Sequence, residues 1–128
     1  MVRRLAVAAV AALGALALVG CGGDDDTSSA AQGAQEPAGA TLSVVAKDID
    51  FSTDSYRATA GSVPITYRND GTLPHTLVIE GVSGFKLEVS GKGDVDRGSV
   101  ELPPGTYTVY CDIVGHRQAG MEAKLTVA

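Results

Sequence analysis

The sequence predicts an all-β fold, a sandwich or barrel of about eight short strands. Three observations carry that expectation. Apolar and β-branched residues recur in short runs, partly alternating with polar ones. Gly, Pro, Asn and Asp punctuate the gaps at close spacing. Past Cys21, no stretch repeats its apolar residues with a helical period.

The runs follow one another from residue 41 onward. Thr41 to Phe51 comes first, with Leu42, Val44 and Val45 leading to Ile49 and Phe51. Tyr56-Arg57-Ala58-Thr59 is a short second run, closed by Ala60-Gly61. Val63 to Tyr67 is the third; Pro64 has no amide donor, which points its first residues to a sheet edge or an irregular start. His75 to Ile79, Phe85 to Val89, Ser99 to Leu102, Thr106 to Cys111 and Glu122 to Val127 complete the set. Between them lie Asn69-Asp70-Gly71, Gly81 to Gly84, Gly91 to Asp96 and Pro103-Pro104-Gly105, all turn-forming in composition.

Upstream the chain changes character twice. Residues 1–20 open Met1-Val2-Arg3-Arg4 and continue through an apolar run ending at Val19, the pattern of a secretory signal too short to span a membrane comfortably. Leu18-Val19-Gly20-Cys21 resembles the bacterial lipobox, which implies cleavage before Cys21 and a lipid on its thiol. Residues 21–40 contain no large apolar side chain and read as the lipidated Cys followed by a flexible tether, with an average span of about 25 Å. Asp24-Asp25-Asp26 reads as a solvated acidic spacer, since nothing nearby organises its carboxylates. The mature protein is therefore expected outside the cytoplasm, lipid-anchored on the outer side of a bacterial membrane.

Residues 41–128, 88 in all, are long enough for one small domain with a modest core. They carry eleven Asp/Glu against eight Lys/Arg, a net of −3, with no basic patch, which argues against a nucleic-acid partner. With Cys21 acylated, Cys111 has no intramolecular disulfide partner, so rigidity has to come from the core and from any bound metal.

The chemistry concentrates in Tyr110-Cys111-Asp112-Ile113-Val114-Gly115-His116-Arg117-Gln118-Ala119-Gly120-Met121. Four residues separate Cys111 from His116, and four separate His116 from Met121. Thiolate, imidazole and a weak thioether suit copper cycling between two oxidation states, and a blue-copper centre needs one further His. The whole chain holds two His, two Cys and two Met. Setting aside Met1 and Cys21 leaves His75, Cys111, His116 and Met121, the required donors with none over. Each taken singly would read as a core filler or a satisfied polar residue.

Two stretches then carry a family resemblance. Asn69-Asp70-Gly71-Thr72-Leu73-Pro74-His75-Thr76-Leu77-Val78 places Pro-His at the start of a strand, and Tyr110-Cys111 to Met121 runs into the last strand. With these, residues 41–128 resemble the cupredoxins, the blue copper Greek-key β-sandwich family that includes plastocyanin, azurin, rusticyanin and sulfocyanin. The loop spacing is most similar to rusticyanin and sulfocyanin. The resemblance implies that His75, Cys111, His116 and Met121 hold one copper ion, and that the two stretches meet at one end of the sandwich. Thr76 departs from plastocyanin and azurin, where an Asn ties the ligand loops together. A Thr hydroxyl could do part of that work while its backbone N–H points at the Cys sulfur.

The implied function is one-electron transfer between redox partner proteins by a membrane-tethered monomer. In the family the C-terminal-loop His reaches the surface through an apolar patch; here that is His116, with Leu73, Pro74, Val114 and Ala119 as patch candidates. Arg117 reads first as a solvated loop charge, and second as a steering group for an acidic partner. The alternative function is copper delivery, storage or resistance on the same ligands. An enzyme is not expected: Cys111 and His116 have no third orienting residue, and no His remains for the extra coppers of nitrite reductases or multicopper oxidases. Zinc is disfavoured because thioether is not among its usual ligands. A metal-free adhesive sandwich would leave all four donors unexplained.

Overall fold

A computed structural model describes residues 39–128. The signal segment, Cys21 and the tether up to residue 38 lie outside the described residues. Nine strands follow in order: β1 (Leu42–Lys47), β2 (Asp50–Phe51), β3 (Ser55–Ala58), β4 (Gly61–Asn69), β5 (His75–Ile79), β6 (Leu87–Val89), β7 (Val95–Leu102), β8 (Gly105–Tyr110) and β9 (Glu122–Val127). They form two sheets, β2-β1-β4-β7 and β3-β9-β8-β5-β6. The pairs β1/β4 and β3/β9 are parallel, and the others are antiparallel. The fold is an all-β sandwich, as the strand pattern predicts.

Alternation of side chains builds the core between the sheets. Leu42, Val44 and Ala46 of β1 and Val63, Ile65 and Tyr67 of β4 face Ala123, Leu125 and Val127 of β9 across a single buried cluster. Phe51 packs its ring 6.4 Å from that of Tyr67. Each such fully buried large apolar side chain contributes about 1.5–3 kcal/mol relative to exposure. β5 departs from alternation, since all five of its residues are buried. It lies between β8 and β6 rather than at an edge, and its second residue, Thr76, is covered by Asp112.

Two boundaries differ from the sequence expectation. The run Thr41 to Phe51 breaks into two strands at Asp48-Ile49, where Ile49 takes a φ of 62°. A positive φ is unfavourable for a β-branched residue, so apolar alternation gave no hint of a turn there. β7 begins at Val95, inside the stretch expected to be a loop, because Val95–Leu102 pairs continuously with β4. Pro64 sits in β4, a central strand, yet β1 pairing begins one residue later at Ile65. The proline therefore has a β-neighbour only in β7.

One end of the sandwich gathers four connections. The β1–β2 turn, the β4–β5 loop, the β6–β7 loop and the long β8–β9 loop all lie there. The registers require it: Ala46 pairs with Asn69, His75 with Val89, and Tyr110 with Glu122. Thus His75, at the start of β5, and Cys111, just past the end of β8, arrive together despite 35 intervening residues.

Candidate metal centre

The loop before His75 is fixed from both sides. Asn69 is fully buried at the end of β4. Its Nδ2 donates to the Leu73 carbonyl at 2.7 Å, and its Oδ1 accepts the Gly71 N–H at 2.8 Å. Asp48, from the β1–β2 turn, accepts the Thr72 N–H at 2.7 Å, the Thr72 hydroxyl at 3.3 Å and the Leu73 N–H at 3.4 Å. The Thr72 amide chiefly holds this carboxyl below the usual value. Gly71 is required by close approach: a Cβ there would lie 2.8 Å from the Asp48 nitrogen and 2.9 Å from the Lys47 carbonyl carbon. The sequence marked Asn69-Asp70-Gly71 as turn punctuation. It did not show that Asn69 and Asp48 together set the entry to β5.

Cys111 is fully buried. Its N–H donates to the Met121 carbonyl at 3.2 Å, closing the base of the β8–β9 loop. Its sulfur accepts the Thr76 N–H at 3.3 Å. The Thr76 hydroxyl accepts the Asp112 N–H at 2.9 Å and reaches the Asp112 carboxylate at 2.7 Å, so this residue joins the two ligand-bearing segments. Asp112 is held in turn by Lys86 Nζ at 3.0 Å. The Thr76 hydroxyl bond and then the Lys86 charge lower the Asp112 pKa, while Asp112 raises that of Lys86.

Within the β8–β9 loop, His116 is set by tight turns. Its N–H donates to Ile113 at 3.0 Å, while its carbonyl accepts from Ala119 at 3.1 Å and Met121 at 3.0 Å. Gly115 and Gly120 flank this turn at φ of 88° and 109°, conformations that glycine adopts without a Cβ penalty. The imidazole Nδ1 lies 3.4 Å from Cys111 Sγ and 3.3 Å from His75 Nδ1. The two rings are 5.1 Å apart and inclined at 56°. The donor atoms of His75, Cys111 and His116 all lie within 4.8 Å of one another. Met121 is fully buried where the same loop enters β9.

This cluster fits one copper ion. A first-row metal bonded to three coplanar nitrogen and sulfur donors at about 2.0–2.3 Å holds them about 3.5–4 Å apart. The two separations from His116 Nδ1, 3.3 Å to His75 and 3.4 Å to Cys111, are close to that spacing. Among the described residues no Asp or Glu joins the group, so it offers none of the hard oxygen donors that suit magnesium, calcium or manganese. His75 is 1% exposed, and its Nε2 is buried without a hydrogen-bond partner. Burial foremost, and then the neighbouring His116, lower the His75 pKa, favouring the neutral imidazole that binds metal.

The periphery combines exposed apolar residues with paired charges. Ile49, Leu73 and Val114 are the exposed large hydrophobic residues among those described, and all three lie on the loops of this end. Val114 is 96% exposed. Pro74 and Ala119 are exposed as well. Arg117 is not a free loop charge. It pairs with Glu80 at 3.0 Å and Glu122 at 2.9 Å, and its guanidinium lies 4.1 Å from the Tyr110 ring centre. These contacts clamp the loop to the sheet, leaving Arg117 poorly placed to steer a partner.

No protein-family model matches the chain, and no curated protein matches it. Among solved structures it is similar to a dithionite-reduced auracyanin from the photosynthetic bacterium Roseiflexus castenholzii. The two are 20% identical, with a TM-score of 0.62 over 71% of this chain and 98% of that one. Auracyanin B is similar at 21% identity and a TM-score of 0.55, over 74% of this chain and 99% of that one. At these identities the likeness is one of architecture: the chain has the cupredoxin sandwich.

Proposed function

We propose that this protein is a blue copper electron carrier. His75, Cys111 and His116 would hold the copper, and Met121, buried where the same loop enters β9, would supply a weak thioether donor. The observation that carries the reading is the convergence at one end of the sandwich of His116 Nδ1 with His75 Nδ1 at 3.3 Å and with Cys111 Sγ at 3.4 Å, the donor atoms of all three residues lying within 4.8 Å of one another. Bound copper supplies a reversible one-electron couple. The protein's part is to hold the donors so that little has to move on oxidation or reduction. The Thr76 N–H already points at the sulfur, and the Asn69 and Asp48 hydrogen bonds fix the approach to His75.

His116 is the electron's route to the surface. It is partly exposed, whereas His75, Cys111 and Met121 are 0–1% exposed. A redox partner docks on the apolar rim of Leu73, Pro74, Val114 and Ala119, to which Ile49 adds. The domain works as a monomer of residues 41–128 behind a tether of residues 21–40. A lipid on Cys21 keeps it beside the outer side of a bacterial membrane, raising the effective concentration of membrane-bound partners. The same burial disfavours copper delivery, which needs an exchangeable site.

Mixing the copper-loaded chain with a one-electron reductant, and separately with a Cu(I) chelator, tests the reading. A carrier takes up and returns one electron per copper and keeps its metal. Rapid surrender of copper to the chelator, with slow electron exchange, would favour delivery instead. For the anchor, Cys21→Ser should release the protein from membranes; unchanged retention would contradict lipid attachment.

A further inference from the structure

The Thr76 hydroxyl has one proton and two acceptors within reach. The Asp112 carboxylate lies at 2.7 Å and the Cys111 sulfur at 3.4 Å. The carboxylate is charged, closer, and compact enough for a strong O–H···O⁻ bond. The hydroxyl's acceptor side is already used by the Asp112 N–H at 2.9 Å. Lys86 Nζ holds the other carboxylate oxygen at 3.0 Å. Lys86 comes from the β5–β6 connection, so three separate segments meet on this one proton.

We infer that Asp112, held by Lys86, is a positioning residue that draws the Thr76 hydroxyl proton away from the Cys111 sulfur and so keeps the reduction potential of the centre low. The inference rests on the copper reading. A thiolate that accepts one hydrogen bond, from the Thr76 N–H, donates more electron density to copper than one that accepts two. Stronger donation favours the oxidised ion. If Asp112 lets go, the hydroxyl is free to turn to the sulfur. The second bond then weakens donation, favours the reduced ion and raises the energy of the thiolate-to-copper transition. Because the Asp112 backbone N–H still binds the Thr76 oxygen after truncation of the side chain, the hydroxyl stays beside the sulfur in an Asp112→Ala variant.

The test is a double-mutant cycle on the full copper-loaded chain, with Asp112→Ala and Thr76→Val made singly and together. Asp112→Ala should shift the one-electron equilibrium roughly tenfold toward the reduced form, about 59 mV, and move the charge-transfer band to higher energy. In the Thr76→Val background, which has no hydroxyl to redirect, most of that shift should vanish. Deleting a negative charge near the metal would by itself give the same shift in both backgrounds, and that result would overturn the inference. Asp112→Asn removes the charge but keeps an acceptor, and should move the potential less than Asp112→Ala. In the metal-free protein, the Thr76 hydroxyl proton should exchange slowly and resonate downfield, and should shift when Asp112 is replaced by Ala. An unchanged resonance would overturn the hydrogen-bond assignment. A missing thiolate-to-copper band in the unaltered protein would overturn the copper reading alone, with the metal-free resonance still deciding where the proton lies.

Discussion

His75 and His116 reach the same centre from opposite kinds of chain. His75 opens a strand whose five residues are all buried, and its preceding loop is fixed by Asn69 and Asp48. His116 sits in the middle of a loop that turns on two positive-φ glycines, is partly exposed, and follows the almost fully exposed Val114. One is part of the scaffold, and the other is a surface residue held at its edge. Their Nδ1 atoms are nonetheless only 3.3 Å apart. A metal placed between them would be anchored on the inner side and accessible on the outer one, the asymmetry that the proposed carrier role calls for.

The largest effects should come from removing each histidine. Both His75→Ala and His116→Ala should abolish the copper charge-transfer band. Added imidazole should restore it in His116→Ala, where a small ligand can enter from solvent, and not in His75→Ala. Equal rescue of the two variants would break the comparison. Next in size, Gly71→Ala forces a Cβ against the Asp48 and Lys47 backbone and should cost about 1–3 kcal/mol of stability in chemical denaturation, since overpacking there cannot be relieved by a side-chain rotation. A neutral result would mean that the turn before His75 is looser than its contacts imply.

Further down the scale, Val114→Asp should change stability by no more than about 0.5 kcal/mol and leave the band unaltered, because the side chain touches solvent. Electron exchange between oxidised and reduced copies should nevertheless slow roughly tenfold at low salt, through like-charge repulsion at the contact face. Unchanged exchange would remove Val114 from that face. The smallest effect concerns Asp48. Its pKa is lowered on folding, so the unfolded chain binds a proton there more readily. The stability it supplies is full above its ordinary value of 3.8 and is lost as pH falls through the lower folded value. Asp48→Asn should flatten that part of the acid-unfolding curve. If both proteins follow one curve, the cap on the Thr72 and Leu73 amides contributes nothing measurable.

The same contrast separates what the sequence made legible from what it did not. Composition singled out His75, Cys111, His116 and Met121 as candidate donors, because a chain with so few His, Cys and Met residues has almost no alternatives, and the fold brings the donor atoms of the first three together. Strand positions were readable where alternation was clean, as in β9. Their supports were not. Asn69 looked like a turn residue and is a buried strand end. Asp112 drew no reading of its own in the sequence, and its partner Lys86 lies in a separate connection. Arg117 looked solvated, yet it pairs with Glu80, 37 residues away, and with Glu122. Each of these roles depends on which loops share one end of the sandwich, and only the pairing of strands determines that. Ile49 hid its turn for a different reason: a β-branched residue at positive φ runs against local preference.

The central claim is that Cys111 binds copper alongside both histidines. The most direct measurement is the visible absorption of the full copper-loaded, oxidised chain beside a Cys111→Ala variant. The account predicts an intense thiolate-to-copper band in the first, bleached by reductant and absent in the second. A colourless protein, or a band that survives loss of Cys111, would contradict it.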